Sequence, residues 1–209
     1  MARFKNGILG PFSGKIGDMV GYMLNGECIG RAKPRKKKGP PTPKEIANRA
    51  KFGFVQQWLQ PLTPFLRIGF KNYNPKFQGF TAAKSYNSKN AVVGSYPDFQ
   101  IDPALALVSY GPLDQSQTAS VASEEPMSIT VRWSGGNTGS LQKVMILLYE
   151  IEAGSVLMDT SATWRVNEIF KWVLKPQHSG RKYHVYIAFV DSDMTHQSTS
   201  QYLGAVTVA

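Results

Sequence analysis

The sequence predicts an α+β protein: a glycine-rich β-hairpin and helices first, then an all-β sandwich of the immunoglobulin or fibronectin type III kind. Three observations carry this. Seven glycines punctuate the first thirty residues and surround an Asn25-Gly26 pair. A capped amphipathic stretch follows over 43–60. From about residue 98 the pattern becomes short alternating apolar runs separated by turn residues. The expected domains are 1–97, a basic hairpin-plus-helix assembly region, and 98–209, the sandwich.

Asn-Gly between apolar residues is a strong two-residue hairpin signal, because both central positions need positive φ. Strands are expected at about 15–24 and 27–33. Glycines inside strands mark bulges or close backbone approach, so this hairpin is expected to pack against another backbone, its own or a neighbour's. Residues 31–41, RAKPRKKKGPP, are a basic, proline-flanked loop without apolar periodicity. Thr42-Pro43-Lys44-Glu45 then reads as a helix start, with Thr at the N-cap, Pro at the first helical position and Glu completing a capping box. Ala47, Ala50, Phe54 and Trp58 form the apolar stripe, Lys44, Arg49 and Lys51 fall off it, and Pro61 ends the helix. Thr63-Pro64 restarts a short helix that Gly69 stops, and 71–97 reads mostly as loop with room for one short helix.

In the second half, SITVRWS alternates Ile129, Val131 and Trp133 against Thr130 and Arg132, a half-buried strand. KVMILLYEIE is apolar on both faces near its middle and is therefore central. TWRVNE and FKWVLK read as the next strands, followed by Pro176 and a polar turn to Gly180. KYHVYIAFV places Tyr183, Val185, Ile187 and Phe189 on one face, and QYLGAVTV closes the chain. Tyr183 stands where the tyrosine corner of an immunoglobulin-like sandwich stands.

Composition narrows function. The chain has 209 residues, one Cys, three His and 42% apolar residues, enough for a buried core. A single Cys28 excludes an internal disulfide and a four-Cys zinc site. No apolar run reaches the length of a membrane span, and Gly, Pro, Lys15 and Asp18 break up any signal-peptide core at the start. The expectation is a protein without signal peptide or membrane insertion, cytoplasmic or associated with a virion or other particle. Charge is unevenly spread: residues 1–90 hold 17 Lys/Arg and three acids, net +14, while 91–209 are net −4. Such asymmetry favours either two partners or head-to-tail association between copies.

Catalytic patterns are weak. Gly10-Pro-Phe-Ser-Gly14-Lys15 has three residues where a phosphate loop needs four, and Ile16 replaces the hydroxyl that would hold magnesium. Glu150 and Glu152 lie two apart on one expected strand face, but no cleft is implied beside them. Asp191-Ser-Asp193 lacks the glycine and the bidentate glutamate of a calcium loop. The histidines at 178, 184 and 196 show no metal-ligand spacing, and Cys28 has no histidine near it in sequence. No enzyme, cofactor or metal site is expected.

The basic loop is the strongest signal. Arg31, Lys33, Arg35, Lys36, Lys37 and Lys38 place six cations in eight residues, beside a helix carrying Lys44, Arg49 and Lys51. Six phosphate contacts would make nucleic-acid binding steeply salt-dependent. Tyr73, Phe77, Phe80 and Tyr86, interleaved with Lys71, Lys76, Lys84 and Lys89, read as a candidate stacking platform for single strands. The competing reading docks the same cations on an acidic neighbour.

GILGPFSGKIGDMVGY, the R-x-K-P that follows, TPKEIANRAKFGFVQQWLQPL and IGF resemble the N-terminal block of an uncharacterised bacterial family of unknown function. SYNSKNAVVGSYPDFQID and VSYGPL are similar to its central block, so the resemblance covers about 7–113. Ile46 or Glu45 stands where that family usually has glutamine. The resemblance implies no activity and no catalytic residue. The P-x-T-P and R-x-K-F helix more loosely resembles segments of small phage structural proteins. Together these readings favour a non-enzymatic structural or assembly protein, a subunit of a phage virion, tail-like particle or filament, contacting copies of itself or other particle proteins through its basic arm. The alternative is a nucleic-acid-binding protein using residues 31–38 and the helix at 43–60.

Overall fold

A computed structural model describes residues 3–4, 10–24, 26–34, 39–74, 78–136 and 141–209. The chain forms two compact units, Met1–Thr42 and Pro43–Ala209. The sequence placed a boundary at 97/98. The compact units instead meet at 42/43, because the helices after Pro43 share a core with the strands of the second half.

The first unit is one antiparallel sheet of β1 (Arg3–Phe4), β2 (Phe12–Ile16), β3 (Met19–Leu24) and β4 (Glu27–Ala32), paired in that order. The strand expected over 15–24 is divided. Ile16 pairs Met19, and Gly17 turns the chain between them at φ +53°. The second turn carries Gly26 at φ +86°, with Leu24 opposite Glu27; its partner Asn25 lies outside the described residues. Gly14, Gly21 and Gly30 stand side by side across the three strands. The close approach expected of these glycines is made by a ring: a Cβ on Gly21 would lie 2.4 Å from the Phe12 side chain.

The second unit begins with α1 (Pro43–Leu59), a 3-10 turn at Gln60–Leu62, α2 (Thr63–Gly69) and α3 (Gly79–Asn90). The first two helices fall where the prolines and glycine place them. The third is a full twelve residues where mostly loop was expected. Its start, Gln78, offers no side-chain cap, and of its apolar side chains only Ala82 and Ala83 are fully buried, with Phe80 and Tyr86 partly so. Packing against α2 stabilises it instead, together with Asn87, whose amide donates to Leu107 O (2.8 Å) while its carbonyl accepts from Leu107 N (3.0 Å). Tertiary contact here outweighs weak local propensity. No described helix is long and apolar enough to cross a membrane.

The strands follow: a small pair, β5 (Val92–Val93) and β6 (Gln100–Ile101), then β7 (Thr118–Ala122), β8 (Ser128–Ser134), β9 (Gln142–Glu150), β10 (Ser155–Trp164), β11 (Ile169–Val173), β12 (Lys182–Asp191) and β13 (Gln201–Thr207). They form an antiparallel sheet ordered β11-β8-β7 and another ordered β10-β9-β12-β13. TWRVNE is not the separate strand expected. Trp164 ends β10, and Arg165–Asn167 form a 3-10 turn closed by Glu168 at φ +58°. Arg165 is fully buried in that turn.

The two sheets share a core of Ile129, Val131 and Trp133 from β8 with Val144, Ile146 and Leu148 from β9 and Val185, Ile187 and Phe189 from β12. The opposite faces of β9 and β12 are buried as well. Met145, Leu147, Tyr149, Tyr186, Ala188 and Val190 pack under Val55, Trp58 and Leu59 of α1 and Phe65 and Leu66 of α2. The unit is therefore layered helix, sheet, sheet, which is why VMILLY reads apolar on both faces. Tyr183 starts β12 as expected of a corner tyrosine, but its hydroxyl meets His178 Nδ1 (2.7 Å) rather than a backbone group.

Candidate functional site

The predicted basic residues are divided between the units. Arg31 lies on β4 opposite Val20, its guanidinium 5.5 Å from the Tyr22 ring centroid. Lys33 follows, its backbone N–H donating to Asp18 O (2.7 Å). Lys44 and Arg49 are exposed on α1, and Lys51 is half-buried. Arg35, Lys36, Lys37 and Lys38 lie outside the described residues.

The expected stacking platform is not an open surface. Tyr73 stands edge-on to Tyr110 at 5.0 Å, Tyr86 packs 6.4 Å from the same ring, and Phe80 joins them around the helix-side core. Lys84 is buried, donates to Gln56 Oε1 (2.6 Å), and burial lowers its pKa. Lys71 donates to Met194 O (3.0 Å). Phe77 and Lys76 lie outside the described residues. These aromatics were read as interleaved with cations; they serve instead to seat α2 and α3, because their rings are needed inside.

The weaker catalytic patterns come apart similarly. Glu150 ends β9 and pairs with Arg181 (3.0 Å), whereas Glu152 lies in the following turn, so the two do not share a strand face. His184 meets the Tyr202 hydroxyl (2.7 Å), and burial together with the nearby Lys182 lowers its pKa. Asp193 accepts from Thr195 N (3.0 Å) and Oγ1 (2.7 Å), bonds that hold its carboxyl below the usual range. Cys28 is exposed on β4, its thiol 3.5 Å from Phe12 O. Among the described residues, no three of His, Cys, Asp and Glu gather as a metal set.

Two surfaces escaped the sequence reading. The first is one face of the N-terminal sheet. Strand alternation and register put Phe12, Gly14 and Ile16 of β2, Met19, Gly21 and Met23 of β3, and Cys28, Gly30 and Ala32 of β4 on the same side. That face carries no charged and no hydrogen-bonding side chain except the thiol. Met19 is 52% and Met23 47% exposed. The signal was legible as period-two alternation in MVGYML and ECIGRA, but the interrupting glycines hid it.

The second is a groove of about 1060 Å³ between the C-terminal half of α1, β6 and the β9–β10 turn. Phe54 and Phe99 face each other at 6.3 Å, and Trp58 and Tyr149 at 5.9 Å. The Tyr149 hydroxyl donates to Trp58 O (2.8 Å), and burial pushes that phenol up to about 12. Trp58 is 6% exposed, and its indole N–H has no acceptor. Phe54 and Trp58 do belong to the core stripe, Trp58 buried and Phe54 half-buried; their spacing alone gives no sign that a groove runs past them between β6 and the β9–β10 turn.

No curated protein matches the sequence. The model of a family of unknown function, DUF6266, matches residues 11–204, taking in both the N-terminal sheet and the layered unit. The chain belongs to that family.

Proposed function

We propose that this is a non-enzymatic assembly protein whose N-terminal sheet docks on a second copy, with the layered unit displayed outward. The carrying observation is the uncovered apolar face of Phe12, Ile16, Met19, Met23 and Cys28. Apolar side chains left in water on that face gain free energy when a partner surface covers them. Over the glycine row the Phe12 ring lies on Gly21 and the Met19 side chain on Gly30, so the face offers those two side chains, rather than bare backbone, to a partner. Nine of the chain's 24 basic residues fall in 1–42 against two acids, so complementary contacts with a neighbour's acidic second half would orient the docking. A phage virion, tail-like particle or filament is the proposed setting.

In the same reading β7–β13 form a sandwich of the immunoglobulin and fibronectin type III kind. First, second and fifth strands make one sheet; fourth, third, sixth and seventh make the other. This departs from the constant-type immunoglobulin order only in the sheet that the fourth strand joins.

Light scattering at low and high salt, with the 260/280 nm absorbance ratio, tests the assembly. A defined multimer with a protein-only ratio is expected. Met19→Ser/Met23→Ser should reduce it to monomer, and Cys28 should react with a maleimide faster in that variant than in the multimer. A wild-type monomer carrying nucleic acid that high salt removes would reverse the reading in favour of nucleic-acid binding by the basic arm.

A further inference from the structure

We propose that the groove holds the proline-rich segment before α1, Pro40–Thr42, of a second copy of the chain. The inference rests on the assembly reading and names a second contact within it. Of the aromatic residues lining the groove, Phe54 and Phe99 are half-buried while Trp58 and Tyr149 are buried, and among the described residues lining it Glu152 is the only charged one. A surface of that kind suits a polyproline strand, whose rings stack on aromatic faces and whose carbonyls form no internal hydrogen bonds. The indole N–H of Trp58, a residue lining the groove, is buried without an acceptor among the described residues.

The chain itself carries the matching ligand. Pro40-Pro41-Thr42-Pro43 has the P-x-x-P spacing, and Pro40, Pro41 and Thr42 are exposed and outside any helix or strand. Pro40 and Thr42 each precede a proline, which biases both toward extended backbone. Six cations over Arg31–Lys38 lie just before the segment, complementing Glu152. Its own molecule cannot supply it. Phe54 lies roughly 16 Å along α1 from Pro43 at 1.5 Å per residue. The three residues back to Pro40 span at most about 11 Å. The segment must come from a neighbour.

The test uses the full-length protein and a fluorescent peptide of residues 31–44, read by anisotropy, alongside light scattering. Saturable binding is expected, at least tenfold tighter than that of a peptide with Pro40, Pro41 and Pro43 all replaced by Ser. Gln57→Arg and Glu152→Lys, both on exposed groove positions, should each weaken it several-fold while leaving the circular dichroism spectrum unchanged. Equal binding of the two peptides would show charge attraction alone and overturn the proposal, as would displacement of the peptide by none of the groove variants. Occupation of the groove by a neutral hexasaccharide in place of the peptide would overturn it too. A multimer indifferent to the peptide keeps the assembly reading and sinks this one; a wild-type monomer at all concentrations overturns both.

Discussion

The guanidinium carbon of Arg165 lies 3.9 Å from the ring centroid of Phe189, so a buried cation caps an aromatic ring of the core between the two sheets. Among the described residues no carboxylate forms an ion pair with it. Its two terminal nitrogens donate instead to Asp114 O (2.8 Å), Gln142 Oε1 (2.8 Å), Gln115 O (3.1 Å) and Gly135 O (3.2 Å). Burial lowers its pKa, with Asp114 opposing that shift, yet a guanidinium stays charged. One side chain thereby ties the 114–115 segment, the end of β8 and the start of β9 to the β10–β11 turn.

Arg165→Leu should therefore destabilise the second unit by about 3 kcal/mol, because it removes four hydrogen bonds made by a fully buried charged side chain. Urea unfolding monitored by tryptophan fluorescence would measure it. Arg165→Lys should recover little of the loss, since an ammonium cannot reach four acceptors from one planar fork.

Adjacent leucines on β9 offer a sharper comparison. Leu147 faces the helices and Leu148 faces the second sheet, and both are fully buried. Each Leu→Ala change should cost about 3 kcal/mol. A two-layer sandwich with an open outer face would show a large loss at Leu148 only, so near-equal urea midpoint shifts are the expected outcome.

The N-terminal sheet should respond separately. Gly21→Val drives a side chain into the Phe12 ring, which a Cβ alone already meets at 2.4 Å. Hydrogen exchange should rise across residues 12–32 while β9 and β12 keep their protection. Phe12→Ala on the same background removes the clash and should restore part of the protection.

Alkaline titration probes the groove wall. The Tyr149 phenol has its pKa raised by burial to about 12, above the ordinary value of 10, and its neutral form donates to Trp58 O. The stabilisation is complete below pH 10 and declines as pH rises toward 12, because the unfolded chain ionises first. Tyr149→Phe should lose about 1 kcal/mol at neutral pH and show a shallower decline above pH 10. Chemical denaturation at stepped pH reads both.

Legibility in the sequence followed the range of the forces involved. Pro43, Pro61 and Gly69 act within a turn of themselves, and the helices they bound are where those residues place them. The central strand was legible because both its faces are apolar. α3 was not, since Asn87 and two alanines acquire their meaning only against Leu107 and α2. The division into compact units at 42/43 was hidden for a related reason. Composition changes near residue 98, but Trp58 and Tyr149 belong to one core, and no local pattern records a contact across 91 residues. At the candidate sites, cations stood out as a run of letters, whereas the apolar sheet face needed the register of three strands and the groove needed three separate segments. Four of the cations singled out, Arg35 to Lys38, lie outside the described residues.

The layering of helices over β9 has a consequence for synthesis. Trp58 leaves the ribosome 91 residues ahead of the tyrosine whose hydroxyl donates to its carbonyl, roughly 5–20 s at 5–20 residues per second. Through that interval the apolar sides of α1 and α2 have no sheet to cover them. β12 comes later still. A nascent chain stalled before β9 would thus hold three formed or forming helices with their sticky surfaces bare, and the cell's chaperones, rather than the chain's own contacts, would have to shield them until β9 and β12 emerge.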